Sequence, residues 1–214
     1  MPNEGLRRRE EENPFDAQFA QKERLNLPGG MADIIDVRPE NPKTETPVLL
    51  APGWGLTDKV YQPAIQELVK RGRRVISLNH PRIGGDMSAA PQEALDKYPT
   101  EEVRKALNLI DLLDQKGIEK TDVIAHSEGA INTCIAAVLH PEKFRNIVFY
   151  APAGLIGEDT FTRLLKGFAG QMKRAETLSA AEGRPEIPKT KTEKHVAAVA
   201  ATECLKYLAI DKTL

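Results

Sequence analysis

At 214 residues, 41% of them hydrophobic, the chain can bury one core of ordinary size; its 30 basic and 31 acidic side chains leave a net charge of −1. That balance excludes a nucleic-acid or anionic-membrane binder driven by bulk charge. No run of about 18 apolar residues is present to span a membrane, and Arg7-Arg8-Arg9 is followed by Glu10-Glu11-Glu12 rather than by the apolar segment of a secretory signal, so the expected compartment is the cytoplasm.

Residues 1–22 are charged and poor in apolar groups, the pattern of a flexible, solvated leader. Arg24-Leu25-Asn26-Leu27 and Ala32 to Val37 alternate like strands around Pro28-Gly29-Gly30, which predicts an antiparallel hairpin at a sheet edge. Pro47 to Pro52 is a short continuous apolar run, as expected of a strand covered on both faces, and it empties into Gly53-Trp54-Gly55. A helix is predicted over about 61–71 with Gly72 as its stop, then a strand over 74–78 ending in the turn-rich Asn79-His80-Pro81-Arg82-Ile83-Gly84-Gly85. Thr100 is the expected cap of a helix to about Gln115, with Val103, Leu107, Ile110 and Leu113 on its apolar face and Gly117 beyond its end.

Next comes a brief apolar run, Val123-Ile124-Ala125, then His126-Ser127-Glu128-Gly129, and directly a helical apolar pattern of Ile131, Cys134, Ile135 and Val138. The period changes from strand to helix across one serine, with small residues, Ala125 and Gly129, on either side of it. Such a turn either pushes the serine hydroxyl out at the carboxyl end of a strand or makes Ser127 an ordinary helix cap. The helix is ended by His140-Pro141, and 144–151 reads as a further strand. Alternating strands and helices predict a mostly parallel sheet flanked by helices, with any ligand beyond the carboxyl ends of its strands, where Ser127, Gly53, Trp54 and the His80 loop all fall. Past Gly154 only amphipathic helical patterns follow, over 161–172 and 193–208. Cys134 and Cys204 read as buried thiols in a reducing compartment, and His80, His126, His140 and His195 lack metal-ligand spacing, so neither a metal nor another cofactor is expected.

The stretch from Ala125 to Gly129 resembles the Gly-x-Ser-x-Gly nucleophile elbow of the α/β-hydrolase family, with Ala in the first position. The resemblance implies an α/β-hydrolase core over 23–155, covered in part, and a helical cap over 156–214. It implies a serine hydrolase acting on an ester, thioester or related acyl bond of a small molecule, with Ser127 as nucleophile. By the match of Ala51-Pro52-Gly53-Trp54-Gly55 to the family's His-Gly-x-x-Gly loop, the oxyanion donors are the backbone amides of Trp54 and Glu128, while Gly53, His80 and His126 line the pocket.

The family's acid and histidine follow the nucleophile in sequence. His140 lies thirteen residues on, about 20 Å along a helix at about 1.5 Å per residue, too far to act as base. His195, with Glu158 or Asp159 as acid, is the remaining candidate before Leu214. Either the sequence is a piece of a longer chain, or the protein is a member without a complete triad: a non-catalytic binding or scaffold protein of hydrolase fold. A shortened sheet predicts an uncovered edge through which the protein could self-associate. Epoxide and haloalkane chemistry is disfavoured, because those relatives carry Asp where this chain has Ser127.

Overall fold

The computed structural model describes residues 14–81, 86–88 and 90–153. The chain divides into two compact units, Met1–Pro152 and Ala153–Leu214, so the expected cap, with Glu158, Asp159, His195 and Cys204, lies outside the described residues.

The first unit is a six-stranded sheet of order β1-β2-β4-β3-β5-β6, built from β1 (Glu23–Leu27), β2 (Gly30–Val37), β3 (Val48–Ala51), β4 (Val75–Asn79), β5 (Thr121–His126) and β6 (Phe144–Tyr150). β1 and β2 form the expected antiparallel edge hairpin, β2 also runs antiparallel to β4, and the other neighbours are parallel. Alternation along each strand sorts the core into two layers. Ile34, Leu49, Ile76, Leu78 and Val123 face α4 (Thr100–Gln115), where Leu109, Leu112 and Leu113 are fully buried. Ile35, Val37, Val48, Leu50 and Val75 face the other way, onto Tyr61 and Ile65 of α2 (Asp58–Lys70). Each such side chain stabilises the fold by roughly 1.5–3 kcal/mol on full burial.

The second layer includes a segment not expected to fold. Residues Pro14–Ala20 form α1 inside what reads as a solvated leader, and Phe15 and Phe19, only 7% exposed each, stack at 5.6 Å on this face. Two aromatic rings outweigh the charged residues around them, because Phe burial dominates a short helix's energetics. Helix α2 begins one turn earlier than its apolar pattern, since the Oδ1 of Asn79 at the end of β4 accepts the Asp58 backbone N–H at 3.0 Å and caps the first turn from a distant strand. A short α3 (Gln92–Lys97) precedes α4 and was not expected. Thr100 is the first helical residue of α4 rather than its cap: the preceding Pro99 holds the cap position, which no side chain completes. Gly72 and Gly117 follow α2 and α4 with φ of +81° and +62°, as their placement as helix stops requires.

Two helix faces depart from the apolar pattern. The amino half of α4 buries Glu101, Glu102, Arg104, Lys105 and Asn108 along with Val103 and Ala106. On α5 (Glu128–Leu139) the core face carries Gly129, Ala130, Asn132, Thr133, Ile135 and Ala136, whereas Cys134 is exposed and Val138 is 65% exposed. Cys134 is therefore not the buried thiol its apolar neighbours imply. The outer edge of β6 is unpaired among the described residues, and Val148, Phe149 and Tyr150 are exposed.

Candidate active site

The carboxyl ends of β3 and β5, adjacent and parallel, bring two short segments together. One is Ala51-Pro52-Gly53, leaving β3; the other is His126-Ser127-Glu128-Gly129, joining β5 to α5 with no loop between them. Ser127 has φ 51° and ψ −120°, a conformation that a residue with a Cβ rarely adopts and that stores about 1–3 kcal/mol of strain. The turn is over-determined by its surroundings. The Ser127 N–H donates to Tyr150 O at 3.2 Å, extending the β5–β6 ladder past the strand, and the Ala130 N–H donates to Ser127 O at 3.0 Å, opening the helix.

The helix start lies hard against the end of β3. A Cβ on Gly129 would sit 2.4 Å from Ala51 O and 2.7 Å from Pro52 O. A Cβ on Gly53 would sit 2.9 Å from His126 Nδ1 and 3.1 Å from the Ser127 Cβ. Both glycines are thus dictated by close approach, Gly129 to backbone and Gly53 to the elbow side chains. The close approach confines the first turn of α5 to small residues, Gly129 and Ala130, whereas Ile135 further along is buried against Ala106 and Ile110 of α4. After Gly53 the loop closes through a Leu56 N–H to Gly53 O bond of 3.1 Å. In a trans peptide the N–H and C=O of one plane point opposite ways, so this bond directs the Trp54 N–H out of the turn.

Charged groups support the elbow from behind. Glu128, the residue after Ser127, is buried, and its Oε1 accepts from Lys105 Nζ on α4 at 2.7 Å. One turn along each helix, Asn132 Nδ2 donates to Glu102. Burial pushes the Glu128 carboxyl upward; Lys105 opposes this and the neighbouring Glu102 carboxyl adds to it. Arg104 binds Glu101 and donates to Pro81 O at 3.3 Å and Gly29 O at 3.2 Å, tying α4 to the segment after β4 and to the β1–β2 turn. Sequence reasoning missed these residues because charges three and four apart on a helix ordinarily mark its solvated face.

The histidines separate. His126 stands beside Gly53 and Ser127, with its ring between those of Tyr61, at 5.7 Å, and Tyr150, at 5.2 Å. His140, at the far end of α5, hydrogen-bonds Glu142 Oε1 at 3.0 Å. His80 leaves β4, which β3 separates from β5, roughly 10 Å away at two strand spacings. It turns toward α4, its Nδ1 3.4 Å from Asn108 Nδ2. The residue as a whole is only half-buried, but its ring Nε2 is enclosed without a hydrogen-bond partner among the described residues. Burial, followed by the nearby Lys105 and Arg104 cations, pushes its pKa well below the ordinary histidine value. Unfolded His80 therefore binds a proton below about pH 6.5 that the folded chain refuses, so stability falls as pH drops through that point, by about 1.4 kcal/mol per unit. In urea titrations between pH 6.5 and 5, His80→Gln is expected to lose stability less steeply than the wild type; an unchanged slope would assign the proton elsewhere.

A cavity of about 250 Å³ lined by Phe15, Gln18, Arg38 and Lys70 among others lies by the carboxyl end of β2, where Val37 pairs with Val75 at the start of β4. That is the opposite edge of the sheet from Ser127. Among the described residues no cluster of His, Cys, Asp and Glu could hold a metal ion, and no helix is long and apolar enough to cross a membrane.

A family-wide sequence model described as alpha/beta hydrolase fold matches residues 46–176. Solved structures resemble part of the chain. A serine hydrolase from the polyaromatic-hydrocarbon-degrading bacterium Cycloclasticus zankles is 22% identical with a TM-score of 0.52, covering 66% of this chain and 48% of its own. A probable hydrolytic enzyme from Pseudomonas aeruginosa is 23% identical with a TM-score of 0.50, covering 63% and 42% respectively. The chain thus spans less than half the length of either, and identities this low speak to the fold alone.

Proposed function

The chain belongs to the alpha/beta hydrolase fold family, and from that membership we propose that it acts as a serine hydrolase on an ester, thioester or related acyl bond of a small molecule. The observation that carries this reading is the backbone of Ser127, φ 51° and ψ −120° at a strand-to-helix turn packed too closely for a Cβ at Gly129. Strain of that kind persists where a side chain must be presented, and in this reading that side chain is the Ser127 hydroxyl at the amino end of α5. In this scheme Ser127 Oγ attacks the carbonyl carbon and the developing oxyanion is held by the backbone amides of Glu128 and Trp54. The outward direction of the Trp54 N–H and the contact of Gly53 with Ser127 support the pairing of these two amides. No described histidine hydrogen-bonds Ser127, so the general base of the scheme lies outside the described residues. The exposed free thiol of Cys134 is compatible with a reducing compartment and supports a cytoplasmic protein.

Treatment of the chain with a fluorophosphonate followed by peptide mapping is expected to find the adduct on Ser127, and Ser127→Ala to lose both the adduct and turnover of a generic aryl ester. Undiminished labelling of the variant would remove Ser127 from the chemistry. A second reading takes the chain as a hydrolase-fold binding protein without catalysis. It predicts an unlabelled wild type that still binds small molecules saturably, followed by the fluorescence of Trp54, the chain's one tryptophan.

A further inference from the structure

The least expected contact at the elbow comes from α2. The Tyr61 hydroxyl accepts the Gly53 backbone N–H at 2.9 Å and lies 2.8 Å from His126 Nδ1. Tyr61 is 9% exposed, and its ring meets that of His126 edge-on. We propose that Tyr61 is a positioning residue for this site: its hydroxyl clasps Gly53 and His126 together, seating the oxyanion loop against Ser127 and confining the His126 ring proton to Nε2.

The assignment follows from counting protons. A phenol has one proton to give and two lone pairs to fill. Burial raises the Tyr61 pKa, so the hydroxyl keeps its proton, and burial lowers that of His126, so the imidazole is neutral. With the Gly53 N–H filling one lone pair, the satisfied arrangement sends the Tyr61 proton to Nδ1, and the ring's own proton must then reside on Nε2. The clasp also acts on the loop. Gly53 is held at both its polar groups, its N–H by Tyr61 and its C=O by Leu56. Both planes flanking the Gly53 Cα are therefore fixed, and the second of them carries the Trp54 N–H. The spacing of Tyr61 from Gly53 carries no sequence signature, and Tyr61 reads as one more apolar position of a helix.

The role in chemistry rests on Ser127 being the nucleophile, and the test separates the two. In ¹⁵N-detected imidazole spectra of the full chain, wild-type His126 is expected as the Nε2–H tautomer. Tyr61→Phe keeps the ring but removes both bonds. It should mix the tautomers, raise the His126 titration midpoint and speed exchange of the Gly53 amide. With a fluorophosphonate, the maximal labelling rate at Ser127 should fall about fivefold to tenfold, the worth of a hydrogen bond of roughly 1 kcal/mol or a little more, while the concentration for half-maximal rate stays put. A side chain that only filled space would leave the tautomer and the titration unmoved. A wild-type Nδ1–H tautomer overturns the proposal with no variant needed, and so does a Tyr61→Phe chain with wild-type tautomer and rate. A wild type that is never labelled but holds the Nε2–H tautomer overturns the nucleophile, and with it any role for the clasp in chemistry.

Discussion

Changing Ser127 to glycine is expected to abolish fluorophosphonate labelling and, in the same protein, to raise the unfolding free energy by about 1 kcal/mol. Serine at φ 51°, ψ −120° carries strain of about 1–3 kcal/mol because its Cβ crowds the backbone. Glycine adopts that conformation without a clash, at an offsetting chain-entropy cost of roughly 0.5–1 kcal/mol. The useful comparison is with Ser127→Ala, which also lacks the hydroxyl but keeps the Cβ and therefore the strain. Urea unfolding should order the three chains as glycine above serine and alanine, with only serine labelled. If the glycine variant proved no more stable than the alanine one, the turn would hold no strain and the main support for Ser127 as a presented nucleophile would go.

Gly129→Ala is expected to act in the opposite direction and more strongly. Helix propensity alone predicts a gain of up to about 1 kcal/mol from alanine at a helical position. The contact predicts a loss, because the new Cβ would stand 2.4 Å from Ala51 O, 2.7 Å from Pro52 O and 2.8 Å from Ala51 C. All three are backbone atoms at the end of a strand paired on both sides, so none can swing away as a side-chain tip could. The helix must lift, at a cost of the order of 1–3 kcal/mol or more for overpacking, and the contact term wins. Lifting α5 also separates Ser127 from the Gly53 loop, so labelling should slow by more than tenfold if that loop supplies the proposed oxyanion donor. A Gly129→Ala chain as stable and as reactive as the wild type would show that the two segments are less tightly apposed than these distances state.

The candidate site was partly legible in the sequence. Ser127 could be named because an elbow needs a strand, a serine and small neighbours in immediate succession, all written within a few residues. Gly53 and Glu128 follow instead from the resemblance of their segments to the family's loop and elbow. Where the residues meet partners far along the chain, the text was silent. Tyr61 reaches His126 across 65 positions and Lys105 reaches Glu128 across 23; neither interval has a period. His80 shares the correct edge of the sheet with Ser127, yet it turns to Asn108 of α4, because the strand order inserts β3 between β4 and β5.

The amino-acid order alone specified the class of fold: the two-residue alternation of the strands, the glycines that stop α2 and α4, and the abrupt passage from strand to helix at Ser127. Those are short-range properties, set by sterics and periodicity within a few residues of each other. Which way each helix turned was a tertiary decision. On α5, Cys134 and Val138 face outward while Ile135 of the same apolar pattern is buried against Ala106 and Ile110 of α4, and the charges of α4 go inward because α5 and the segment after β4 supply their partners. Burying a charge is tolerable only when its counter-group is already in position. At Ser127 the same division holds: local chemistry made the turn possible, and only the packed sheet keeps it strained.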